Sequence, residues 1–128
     1  MRAPVSYDYA LIRVVPRVER GECINVGVIL FCRMHRFLGA LTHLDAARLQ
    51  VLAPDLDLTE VQCHLEAIPL LCAGDARAGS LSQLSQPERF HWLVAPRSTI
   101  IQTSAVHSGL CNDPEATLHH LLKTMVLL

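Results

Sequence analysis

The chain has 128 residues, 51% of them hydrophobic and 18% charged, with a formal net charge of −1. That length is one domain's worth and buries a core without staples, so the chain reads as a single domain over 1–128, and the composition excludes disorder over most of it. The charge balance argues against non-specific nucleic-acid binding, which needs a Lys/Arg-rich face, although Arg2, Arg13, Arg17, Arg20, Arg33 and Arg36 crowd the first third. No run approaches the apolar length of a transmembrane helix, no signal peptide is visible, and the five cysteines include no C-x-x-C pair. A cytoplasmic protein with reduced thiols is the expectation.

In chain order, Tyr7 to Val15 predicts a strand between Pro4 and Pro16. Ile24 to Cys32, apolar on both sides, predicts a central strand. A tight hairpin about Arg20-Gly21 would set Val15 opposite Val26 and Arg13 opposite Val28. Arg36 to Leu41 predicts a third strand after a turn at Met34-His35. Thr42-His43-Leu44-Asp45 fits a capping box opening a helix with Leu44, Ala47 and Val51 inward, stopped by Pro54. Asp57-Leu58-Thr59-Glu60 opens a second helix, with Leu58, Val61, Leu65, Ile68 and Cys72 on one face and a kink or early end at Pro69.

Ala73 to Ser80 is a small-residue loop. Ser85-Gln86-Pro87-Glu88 has helix-start chemistry, and Arg89 to Val94 continues either as a short helix or as an extended segment. Thr99 to Thr103 predicts a strand. Asp113 caps a C-terminal amphipathic helix with Leu118, Leu121, Leu122 and Met125 inward. Strands first and helices after predict α+β: a small antiparallel sheet built on an N-terminal hairpin, with helices packed on it.

Chemistry is harder to find. Arg13 stands between Ile12 and Val14 in an apolar strand and needs a partner unless that side is wet. By alternation it shares a side with Arg17. Either the two form an anion or acidic-partner site, or Arg13 sits in an internal pair with Glu19 or Glu22. Asn25 and Gly27 share the opposite side of the second strand. Gly27 marks a close backbone or ligand approach, or makes room for a ring such as Tyr9 or Trp92. Residues 90–109 are dense in polar side chains. There His107 is the candidate general base, and Ser104 or Ser108 qualifies as a nucleophile only with a base in reach. No nucleophile elbow, phosphate loop or dinucleotide fingerprint is present. No converging ligand set predicts a metal, and no cofactor is expected.

Two stretches together carry a resemblance. Tyr7-Asp8-Tyr9-Ala10 through Arg13-Val14-Val15-Pro16, then Glu22 to Ile29, resembles the opening of the bacterial family catalogued as domain of unknown function 3037. Glu88-Arg89-Phe90 through Pro96-Arg97-Ser98-Thr99, then His107-Ser108-Gly109, is similar to that family's later signature. Cys23 stands where the pattern has a bulkier apolar residue, which argues against a catalytic cysteine there. The resemblance implies a short accessory protein, with a HipA-like kinase as a possible partner, and brings no reaction with it.

If the two stretches meet, Arg13, Arg17, Asn25, Arg97 and His107 line one polar cleft suited to phosphate or carboxylate. The leading expectation is therefore a non-enzymatic binding or accessory domain recognising a protein partner or an anionic ligand, with a homodimer open. The alternative is a small hydrolase or transferase using His107 with Arg13, Arg17 and Arg97.

Overall fold

The computed structural model describes residues 3–127. Val5–Val14 (β1) pairs antiparallel with Ile24–Cys32 (β2), which pairs antiparallel with Phe37–Thr42 (β3). On its other flank β1 pairs antiparallel with both Ile101–Thr103 (β4) and His107–Cys111 (β5). The sheet order is β3-β2-β1-β4, with β5 continuing beyond β4 along the same flank of β1. This is the expected α+β fold on an N-terminal hairpin. The strand at His107–Cys111, not predicted from the sequence, is an addition; its exposed His, Ser and Leu hide the alternation that marks a half-buried strand.

The helices are Ala46–Leu52 (α1), Leu58–Cys72 (α2), Gln86–Val94 (α3) and Pro114–Met125 (α4). Each starts on a side chain that accepts a free N–H of its first turn: Asp45 from Arg48, Asp57 from Glu60, Ser85 from Glu88 and Asp113 from Ala116. At α3 the Glu88 carboxylate also accepts the Ser85 N–H, completing a capping box that holds the Glu88 carboxyl below its ordinary pKa. Arg89 to Val94 is therefore helical rather than extended. The α1 cap is Asp45 and not Thr42, because Thr42 is still paired in the sheet with Gly27. As a result Leu49 faces the core while Val51 stands 88% exposed. Pro69 lies inside α2 without ending it. The following loop winds into 3-10 turns at Ala76–Ala78 and Ser80–Gln83, opened by Asp75, whose carboxyl is pulled down to about 2 by hydrogen bonds from Arg77.

The helices cover opposite faces of the sheet. Ile12, Val14, Ile24, Val26, Ile29 and Phe31 pack with Leu49 of α1, Val61, Leu65 and Cys72 of α2, and Phe90 and Leu93 of α3. On the other face Val28, Leu30 and Cys32 pack with Cys111 and with Leu118 and Leu121 of α4. Met125, expected on the α4 stripe, is 42% exposed, and the buried Val126 closes that end instead.

The hairpin register differs from the expected one. Val14 pairs with Ile24, Arg13 with Asn25, Ile12 with Gly27 and Leu11 with Val28. Pro16 cannot donate to a ladder, so pairing stops before it, and the chain turns over Arg17–Gly21, with Gly21 at φ 72°. Val26 is the extra residue of a β-bulge, which lets Ile24, Val26 and Ile29 all face α1–α3 and separates Asn25 from Gly27. Gly27 makes room for neither Tyr9 nor Trp92. A Cβ there would stand 2.7 Å from the Leu41 carbonyl oxygen and 2.9 Å from Ile12 Cδ1.

Candidate functional site

The five expected site residues lie in four places. Arg13 and Asn25 are together on the α4 face. Arg13 Nε donates to Asn25 Oδ1 (3.3 Å), and Asn25 Nδ2 donates to the Met125 carbonyl oxygen (3.2 Å). The last carbonyls of a helix have no partner within it and carry its negative end. Asn25 satisfies one of these carbonyls, and Arg13 orients the amide and sets a positive charge near that end. Arg13 thus has a structural partner, an amide rather than Glu19 or Glu22.

His107 stands opposite Tyr9 in the β1–β5 ladder, its ring centroid 5.4 Å from that of Tyr9. The two serines once paired with it are engaged elsewhere. Ser108 Oγ donates to Asp8 Oδ1 (2.7 Å). Ser104, one of three residues linking β4 to β5, donates its N–H to the Leu11 carbonyl oxygen (2.8 Å), while its hydroxyl accepts the Leu11 N–H (2.9 Å). The hydroxyl thus occupies the ladder place of a backbone carbonyl where the strand breaks register, which accounts for a buried serine.

Arg17 lines an open groove of about 870 Å³ between the β1–β2 loop and α1, with Arg20, Arg48, Glu22 and Asp55 on its walls. Arg20 forms an ion pair with Glu22 at its edge.

Arg97 lines a different groove, of about 690 Å³, between α2, α3 and the segment entering β4. Its walls are apolar: Val18, Ile68, Leu71, Leu81, Leu93 and Ile101. Polar groups gather around them in Glu60, His64, Arg97, Thr99, Gln102 and Thr103. Glu60 Oε1 lies 3.9 Å from His64 Nε2. Arg97 is held at the end of α3, where its guanidinium donates to the carbonyl oxygens of Trp92 and of Leu93 (3.4 Å) and lies 4.1 Å from the Trp92 ring centroid. Carbonyls at a helix C-terminus and an aromatic face both favour a cation, so the charge is fixed in place while N–H groups remain for a ligand.

This is the more apolar of the two grooves, a concavity in the size range of small-molecule pockets, apolar inside and bearing a few placed polar groups. Sequence reasoning found Arg97 and missed the α2 wall. Glu60, His64, Ala67, Ile68 and Leu71 recur at helical spacing beside the core stripe of Val61, Leu65 and Cys72, and this second stripe is the signal that was available.

Another arginine of the later signature has a scaffolding task. Arg89 Nη1 donates to the Leu84 carbonyl oxygen (2.6 Å) and Nη2 to that of Cys72 (3.3 Å), tying α3 to the end of α2. Burial beside it pushes the Cys72 thiol up to about 12, against a smaller lowering by the Arg89 charge.

Fold and groove together define a small α+β domain with helices on both faces of an antiparallel sheet and one apolar groove opening beside its β4 edge. Residues 9–126 match the family model described as protein of unknown function (DUF3037), and the chain belongs to that family. No curated protein and no solved structure matches it.

Proposed function

We propose that this domain is a binding protein for an amphipathic anion, its apolar body lying between α2, α3 and β4 and its carboxylate or phosphate on Arg97. The observation that carries this reading is the make-up of the groove: apolar walls with a half-buried, immobilised guanidinium among them. Burying apolar surface gives affinity, and a guanidinium gives paired, directional donors to an oxyanion. The alternative chemistry through His107 has less support, since neither Ser104 nor Ser108 is hydrogen-bonded to it.

Trp92 is the only tryptophan and lines this groove, so its emission reports occupancy. Titration with decanoate should give a saturable change. Decanol, with the same chain and no charge, should bind roughly tenfold more weakly, the scale of one charge-assisted hydrogen bond. Calorimetry should show Arg97→Gln binding the acid no better than the alcohol, and Ile68→Arg, which fills the groove, binding neither. Absence of saturable binding, or equal affinity for acid and alcohol in the unaltered chain, overturns the reading.

A further inference from the structure

A second surface meets the groove only at β4. The β4–β5 segment forms one flank of the sheet, and among the described residues no other strand pairs with its outer side. Exposed strand edges invite pairing with other chains, and proteins guard them with Lys, Pro or inward-pointing charges. From Ser98 to Asn112 this edge has no Asp, Glu, Lys, Arg or Pro. Leu110 is 70% exposed, and Val106 is exposed beside it. The bordering helices make their main sheet contacts elsewhere, α2 on β3 and α4 on β2 and β3.

We propose that this edge pairs with the same edge of a second copy of the chain, antiparallel, about a two-fold axis at Gly109. The register follows from the ladder. Val15 donates to the Ile100 carbonyl and Ser104 to the Leu11 carbonyl, so the odd residues of β1 direct their backbone groups toward this strand. Antiparallel pairs alternate between bonded and non-bonded. His107, Gly109 and Cys111, opposite Tyr9, Tyr7 and Val5, therefore spend their backbone groups on β1. Ser108 and Leu110 point theirs outward. A two-fold axis at Gly109 sets Ser108 of each copy against Leu110 of the other, satisfying those donors and acceptors in both chains.

Gly109 then faces Gly109 in a non-bonded pair, where backbones approach to ~4.5 Å and facing side chains lie closest. Gly109 already has no room for one, since a Cβ there would stand 2.6 Å from the Tyr7 hydroxyl oxygen. The two Tyr7 rings cover the paired glycines from the α4 side. On the opposite side the two Leu110 side chains sit diagonally across the axis, within side-chain reach at ~7–8 Å between backbones.

The occupant is a second copy because the edge is self-complementary about one residue and neutral along its length. No like charges meet, and a closed two-fold contact covers the β5 edge of both chains at once. Sedimentation equilibrium across micromolar concentrations should show a reversible dimer. Leu110→Lys sets two like charges across the axis. Ser108→Pro removes an outward N–H that β1 does not use. Each should weaken association roughly tenfold or more while circular dichroism stays native. In hydrogen exchange the Ser108 and Leu110 amides should be slow in the dimer and fast on dilution. A chain monomeric throughout, a dimer that Leu110→Lys and Ser108→Pro both leave intact, or Ser108 and Leu110 amides exchanging fast in the dimer overturns the proposal.

Discussion

The two faces of this sheet are finished in opposite ways. On one, a single helix is fastened down: α4 packs on β2 and β3, and its last turn is tied through Asn25 to Arg13. On the other, three helices share the cover without meeting over β4, and the gap is the groove beside Arg97. Both faces carry an arginine in an otherwise apolar setting. On the closed face the arginine completes a structural relay. On the open face it is anchored to α3 with donors to spare. An arginine in an apolar strand is thus a weak pointer to function until its partner is known, and the difference lies in whether the layer above it is continuous.

The comparison can be broken by substitutions on either side. Leu65→Ala, at a fully buried core position in α2, should cost about 3 kcal/mol in chemical denaturation and also weaken ligand binding, because the same helix walls the groove. Asn25→Leu on the closed face should cost about 1 kcal/mol, since it removes the partly solvated hydrogen bonds to Arg13 and the Met125 carbonyl, yet leave the Trp92 titration unchanged. If Asn25→Leu shifts ligand affinity, the two faces are coupled and the contrast fails. Ser104→Ala should cost about 1 kcal/mol, leaving the Leu11 N–H without its partner.

The remaining effect is a pH one and is silent at neutral pH. Cys72 keeps its proton in the folded state up to about 12, whereas an unfolded thiol releases it near the ordinary value of 9.0. The folded state then binds more protons than the unfolded one, so stability falls as pH rises through the window from about 9 to about 12. Cys72→Ala should flatten that part of the pH–stability curve. A thiol reagent at neutral pH should modify Cys23 and Cys63, which are exposed, ahead of Cys32, Cys72 and Cys111.

Much of the fold was legible because its signals are local. Asp57, Ser85 and Asp113 announce their helices, Pro54 ends one, and the apolar run Ile24–Cys32 identifies the central strand. What was not legible depends on partners far along the chain. The hairpin register turns on one extra residue, Val26, whose placement is decided by which face α2 and α3 cover. Thr42 has helix-start chemistry but is claimed by the sheet. The site was legible only in part. Arg97 was visible, but Arg13, Arg17, Asn25 and His107 line other surfaces, and nothing local shows that Glu60 and His64 turn toward residue 97.

The two register breaks flanking β1 fall near each other along the strand. Against β2 the break lies between Ile12 and Arg13, and against β4 and β5 it spans Ser104 to Val106, opposite Ala10 and Leu11. Bulges bend and overtwist the strands that hold them. Two side by side score a crease across the sheet, like a fold line in card. β4 and the groove lie on one panel, and β5 with its open edge on the other. The groove beside Arg97 and the edge at Leu110 therefore lie on separate slopes of one sheet.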